Sequence, residues 1–197
     1  MKVKLNGNNF DFKLEDEKHI GEILGKIEAA CKAEKATITK VLIDGNTLNS
    51  KELDALFQKP ISEDISLELF TTSGAEVRAF MNELGKKFIK NSEEMENVSV
   101  KMQTGKDGEV IALVEEFTLN LQDFYGAVRL SDITGISEEQ KFGDKSISEY
   151  HTELLAKLNT ILTAIENKDS VEISDIAEYE LSPLAKDLGN GLLSIQV

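Results

Sequence analysis

The stretch Lys2-Val3-Lys4-Leu5-Asn6-Gly7-Asn8-Asn9-Phe10-Asp11-Phe12-Lys13-Leu14 decides the fold of the N-terminal part. Apolar side chains fall on every second position, Val3 and Leu5, then Phe10, Phe12 and Leu14, which is the period of half-buried strands. Between the two runs, Asn6-Gly7-Asn8-Asn9 is rich in residues that tolerate positive φ, so a hairpin is predicted. The period then changes. Ile20, Ile23, Leu24, Ile27, Ala30 and Cys31 repeat at three and four, the stripe of one amphipathic helix, with Asp16 or Glu17 near its start to suit the helix dipole. Strand character returns from Ile38 to Ile43 and is stopped by Asp44-Gly45-Asn46, after which Thr47-Leu48 can make a short strand. Ser50-Lys51-Glu52-Leu53 is predicted to cap a brief helix reaching Phe57, and Asp64 to Phe70 alternates through Ile65, Leu67 and Leu69.

The order strand, strand, helix, strand, short strand, short helix, strand over residues 1–72 resembles the β-grasp, or ubiquitin-like, fold. The resemblance is carried by the hairpin around Gly7, the stripe Ile23 to Ile27, the Asp44-Gly45-Asn46-Thr47-Leu48 turn and strand, and Leu67 with Leu69. It covers little more than a third of the chain and contains no chemical motif. Members of that fold act as protein modifiers, sulfur carriers, ferredoxins or interaction modules. Modifiers and carriers are activated at a free terminal Gly-Gly, whereas here Thr71-Thr72-Ser73-Gly74-Ala75 runs into more chain, and ferredoxins need four cysteines where this chain has one. The interaction module is the expectation that survives.

Beyond Ser73, a plausible helix cap, the period is helical. Val77, Phe80, Met81, Leu84 and Phe88 form one stripe. Met95, Val98 and Met102 suggest a shorter helix, although Val98 and Val100 also alternate as in a strand. Val110, Leu113, Val114, Phe117, Leu121, Phe124 and Val128 form a long stripe, followed by a loop from Ser131 to about Ser146. Ile147, Tyr150, Leu154, Leu155, Leu158, Ile161, Leu162 and Ile165 give the clearest amphipathic helix, and Ile173, Ile176, Tyr179 and Leu184 a last one that Pro183 should kink or restart. Four or five helices burying these faces against one another make a bundle over residues 73–197.

The chemistry available is narrow. Lys and Arg number 22 against 36 Asp and Glu, a net charge of -14, which argues against a nucleic-acid partner because phosphate binding draws on clustered cations. Residues 1–72 carry 10 basic and 13 acidic groups and residues 73–197 carry 12 and 23, so the helical part holds most of the acidity. One cysteine, two histidines and no tryptophan leave little for a transition-metal or base-stacking site. Asp16 precedes His19 by three, but the second Glu-x-x-His motif of a di-iron bundle is missing. A carboxylate magnesium site drawn from Glu115, Glu116, Asp175 or Glu178 is the enzyme alternative, with a solvated acidic face as the plainer reading. Cys31 lies on the apolar stripe of the first helix, where it reads as a small hydrophobe, and His151 at the edge of its helix's apolar face reads as a packing residue. Gly105-Lys106-Asp107-Gly108 and Gly143-Asp144-Lys145-Ser146 lack phosphate-loop spacing and read as helix-ending turns. Residues 1–10 lack the apolar run of a secretory signal, and no run approaches the roughly 18 apolar residues of a membrane span, so a cytoplasmic protein with no membrane partner is expected.

If Val3, Leu5, Val41, Ile43, Leu67 and Leu69 face the helix, alternation turns Lys2, Lys4, Lys40, Leu42, Ser66, Glu68 and Phe70 to the opposite face. Leu42 and Phe70 are then apolar on a polar surface, a candidate partner site unless the helical part covers them. The expectation is an α+β protein, a β-grasp domain over 1–72 and an acidic helical bundle over 73–197. It would act without catalysis or cofactor as an adaptor or regulatory module for a protein partner bearing a basic patch. The alternatives are a carboxylate-based metal-dependent hydrolase in the helical part and an oligomeric structural component pairing through the near-heptad helix Ile147 to Ile165.

Overall fold

A computed structural model describes every residue except Leu14, Asn49, Glu63 and Val197, with the side chain of Ser50 also outside the described set. The chain divides into two compact units, Met1–Gly74 with Asp132–Thr134, and Ala75–Ser131 with Gly135–Val197.

The first unit contains strands β1 (Lys2–Leu5), β2 (Asn8–Asn9), β3 (Ala36–Ile43), β4 (Asn46–Thr47) and β5 (Ser66–Ser73), with helices α1 (Ile20–Ala33) and α2 (Ser50–Phe57). They form a mixed five-stranded sheet of order β2-β1-β5-β3-β4, in which β1 runs parallel to β5 and the other pairs are antiparallel. Two tight turns fix the hairpins. Asn6 and Gly7 lie at φ 49° and 80°, and Asp44 and Gly45 at φ 48° and 82°, so both central residues are left-handed and need Asn, Asp or Gly. Register then brings Val3 opposite Leu67 opposite Ile43, and Leu5 opposite Leu69 opposite Val41. Ile20, Ile23, Leu24 and Ile27 of α1 bury against this face together with Leu56 and Ile65.

The second strand is shorter than the alternation predicts. Only Asn8 and Asn9 pair with β1, one further bond runs from Phe10 N–H to the Val3 carbonyl, and the chain then leaves the ladder. Phe12 still reaches the core while Phe10 is exposed, so an extended segment dipping one ring inward reproduces a strand's period without its hydrogen bonds. Leu14 and the capping side chain of Ser50 lie outside the described residues. Asp16 and Glu17 precede α1 rather than opening it. The acid in its first turn is Glu22, whose carboxylate accepts the Lys18 N–H at 2.7 Å. Glu17 instead pairs with Lys26, and that ammonium, helped by the Glu15 N–H at 2.7 Å, holds the Glu17 carboxyl at about 2.

After β5 come helices α3 (Gly74–Met95), α4 (Val98–Gln103), α5 (Asp107–Val128) and α6 (Ser131–Thr134), then the small hairpin β6 (Lys141–Phe142) and β7 (Lys145–Ser146). Helices α7 (Ile147–Asn167) and α8 (Ser170–Asp175), a π-helical turn Ile176–Leu181, and α9 (Ser182–Leu193) complete the chain. There are thus eight helical segments among the described residues after β5, where the stripes predict four or five, because α6 falls in the predicted loop and the last predicted helix runs as three successive segments, α8, the π turn and α9. Val98 and Val100 lie in α4, which decides against a strand there. Ser73 ends β5 and immediately precedes α3, the position at which the sequence places a cap. Gly143 turns a β-hairpin, not a helix end, while Gly105 follows α4 as expected.

The core of the second unit is built on Phe88, Phe117 and Phe124, with Phe88 meeting the other two rings edge-on at 5.6 and 6.2 Å. Two pairs of buried polar groups meet across helices: Asn120 donates to the Asn91 carbonyl oxygen at 2.9 Å, and the Ser92 and Ser182 hydroxyls lie 3.0 Å apart. Helices α3 and α9 approach so closely at Gly85 and Gly189 that a Cβ on Gly189 would stand 2.8 Å from the Gly85 carbonyl. Helix α7 starts with a capping box, the Ser146 hydroxyl accepting from Glu149 N–H and the Glu149 carboxylate accepting from Ser146 N–H. Tyr179, expected on the last apolar stripe, is 73% exposed, because the π turn adds residues per turn and shifts the phase of the face behind it. Pro183 falls in the first turn of α9, where its missing N–H is least costly, and the chain stays helical through it.

Candidate functional site

An apolar concavity of the first unit follows from a mismatch in strand length. β3 has eight residues, but β4 pairs with it only at Leu42 and Ile43, so the Ala36–Val41 edge has no strand neighbour among the described residues. A bulge between Ile38 and Lys40 interrupts the β3–β5 register at the same place. Glu28 of α1 reaches over this edge, accepting from the Thr37 hydroxyl at 2.7 Å and from Ile38 N–H at 2.9 Å. Beside it opens a pocket of about 410 Å³ lined by Leu24 and Gly25 of α1, Ile38 and Val41 of β3, Leu48, and Leu53 and Phe57 of α2.

Two glycines on one face of α1 shape it. A Cβ on Gly21 would lie 2.7 Å from both the Phe57 ring and the Phe57 carbonyl, so Gly21 lets α2 close on α1. Gly25, one turn on, meets nothing within 4 Å and lines the pocket. A glycine in mid-helix costs up to about 1 kcal/mol relative to Ala, and at Gly25 no packing contact explains that cost. Leu53 and Phe57 were legible in the sequence as a brief helix, but not as pocket walls, since their position depends on the close approach at Gly21.

Leu42 and Phe70 lie together on the other face of the sheet. Leu42 is in register with Glu68, and Phe70 with Lys40, whose ammonium stands 5.7 Å from the Phe70 ring. Both apolar side chains are half-buried. Cys31 packs partly buried against the core, and burial, with the Glu28 charge, pushes its thiol up, away from the thiolate a nucleophile needs. His19 faces Glu22 at 3.6 Å, and the His151 ring lies against Tyr125 with centroids 4.0 Å apart. Among the described residues no three His, Cys, Asp or Glu side chains gather where they could hold a metal ion. Of the four carboxylates named for magnesium, Glu178 is occupied by the Ser99 N–H at 2.7 Å. The stripe of α7 is largely spent inside its own unit, with Ile147, Tyr150, Leu154, Leu158 and Ile161 buried and Leu155 and Leu162 left exposed. No helix among the described residues is long and apolar enough to cross a membrane.

Two family descriptions match the chain: the TP0873 N-terminal domain over residues 1–73, and a domain of unknown function, DUF8042, over residues 79–191. The chain is 37% identical to an uncharacterized protein of Treponema pallidum (strain Nichols) over 197 residues, 100% of this chain and 98% of the other. No solved structure matches it.

Proposed function

Because the chain belongs to the DUF8042 domain family, and that description names no activity, we propose a function from the chain's own surfaces: a non-catalytic cytoplasmic adaptor or regulatory module that docks a protein partner. The observation that carries this reading is the apolar pocket beside the unpaired Ala36–Val41 edge, held open by a helical glycine that nothing else in the fold requires. An apolar pocket beside a strand edge that no neighbouring strand among the described residues covers is the chemistry that accepts an added extended segment, with the Glu28 carboxylate on Ile38 N–H as the contact such a segment would replace. The sheet order and the helix across one face support reading residues 1–72 as a β-grasp module. Leu42 and Phe70 form a second, separable contact on the opposite face. The charge of residues 73–197, 23 acidic groups against 12 basic, favours a partner with a basic patch.

The test is capture from the native cytoplasm with the full chain, in parallel with Gly25→Leu, which fills the pocket, and with Leu42→Ser combined with Phe70→Ser. A protein retained by the wild type and lost with Gly25→Leu supports docking at the pocket. The same protein retained by every variant, or multiple turnover of a substrate by the full chain, refutes it.

A further inference from the structure

A second concavity, in the helical unit, has a different chemistry. It lies between α5 and α7, encloses about 420 Å³, within the roughly 300–1,000 Å³ of small-molecule pockets, and has Leu121, Leu155 and Leu158 as its apolar wall. Its polar side holds Tyr125, Arg129 and His151. Three observations at this place are unexplained by folding alone. Arg129 makes no ion pair among the described residues, in a chain with 36 acidic side chains to choose from. The Tyr125 hydroxyl is buried with no hydrogen-bond partner, a state that ordinarily costs about 1–3 kcal/mol. Gly126 stands in the last turn of α5 with nothing within 4 Å of where its Cβ would be, although Ala would hold the helix better.

Each observation fits a ligand that brings an anionic group and an apolar body. We propose that this pocket binds a small amphiphilic carboxylate, its carboxylate on the Arg129 guanidinium and its hydrocarbon against Leu121, Leu155 and Leu158, with Gly126 keeping the mouth open. Arg is suited to the carboxylate because its planar fork offers two parallel donors. The net negative field of the chain repels anions in general, so an anion held here is held by this local cation and not by the surface as a whole. The Tyr125 ring, tilted against His151 with centroids 4.0 Å apart, closes the polar side of the pocket. The site is confined to the helical unit and is independent of the docking pocket beside β3.

The probe is octanoate, titrated into the isotopically labelled full chain and followed by amide and arginine side-chain NMR shifts, with 1-octanol as the uncharged control. Saturable shifts confined to residues 118–129 and 151–158 are expected. Arg129→Gln should weaken octanoate by about tenfold or more while leaving 1-octanol unchanged, as loss of a hydrogen bond to a charged group implies. Gly126→Leu should abolish both, with a melting temperature no lower than wild type to show that the fold is intact. No saturable shift up to millimolar octanoate, shifts elsewhere in the chain, or equal weakening of both probes by Arg129→Gln would overturn the proposal.

Discussion

Four helical glycines should answer the same substitution with opposite signs. Glycine to alanine in a helix gains about 0.8–1 kcal/mol from backbone propensity. At Gly25 and Gly126 the added methyl meets nothing within 4 Å, so the gain stands, and each Ala variant should be more stable by up to about 1 kcal/mol. At Gly85 the methyl would stand 2.9 Å from the Gly189 carbonyl and 3.1 Å from Leu192 Cβ, and at Gly189 it would stand 2.8 Å from both the Gly85 carbonyl and Ile89 Cγ1. Carbon contacts are comfortable at roughly 3.5–4 Å, so α3 and α9 must separate by several tenths of an ångström or more. A backbone carbonyl cannot rotate away as a side chain can. Overpacking costs about 1–3 kcal/mol, and against an unyielding backbone carbonyl the upper part of that range, about 2–3 kcal/mol, applies, so subtracting the propensity gain leaves a net loss of about 1–2 kcal/mol for each variant. In a chain of this size that is a fall of roughly 2–8 °C in melting temperature, at about 2–4 °C per kcal/mol. Because both methyls enter one contact, the Gly85→Ala and Gly189→Ala double variant should lose less than the sum of the singles. Thermal and urea unfolding followed by far-UV circular dichroism reads all five variants against the wild type. Gly85→Ala and Gly189→Ala melting at or above wild type, or Gly25→Ala and Gly126→Ala melting clearly below it, would refute the reasoning from Cβ space.

Phe88→Ala removes the ring that meets both Phe117 and Phe124 and leaves a cavity among fully buried side chains, so a loss of about 3–5 kcal/mol is expected in urea titration. Ser146→Ala breaks the capping box of α7 and should cost about 1 kcal/mol, read in the same titration; no change would mean that the cap is already satisfied by solvent. The Glu17 carboxyl is depressed by Lys26, so the stability from this pair is fully present above the ordinary value of 4.5 and is lost as pH falls toward about 2. A carbon-detected NMR titration should place the Glu17 midpoint near that lower value, and Lys26→Met should return it toward 4.5.

The legible parts of the fold are those fixed by local chemistry. Asn6-Gly7 and Asp44-Gly45 announce turns because two successive left-handed residues admit few others, and Ile20 to Ile27 announces α1 because a single stripe must be buried. Leu42 and Phe70 share a face as alternation requires, since the bulge lies beyond them at Ile38 to Lys40. The length of β2 was not legible, because Phe10 and Phe12 alternate whether or not a ladder forms. Nor was the pocket beside β3. It depends on β4 ending after two residues and on α2 closing over Gly21, both set by contacts far apart in sequence. In the helical unit, the pairing of Tyr125 with His151 joins positions 26 residues apart and leaves no periodic trace in either helix.

The π turn at Ile176–Leu181 leaves a mark on how this gene can tolerate change. A π turn is an α-helix carrying one residue in surplus, wound out to keep both flanks in phase with their own neighbours. Ile173 and Ser174 on one side and Ala185, Leu188 and Leu192 on the other are buried, so each flank already meets its own packing surface. Losing a single codon at the exposed Tyr179 would let the segment rewind as ordinary helix, whereas the same deletion within α5 or α7 would rotate every later side chain of that helix by about 100° with no slack to absorb it. The segment between Asp175 and Ser182 is therefore where this helical unit can shed one residue while the faces on either side survive.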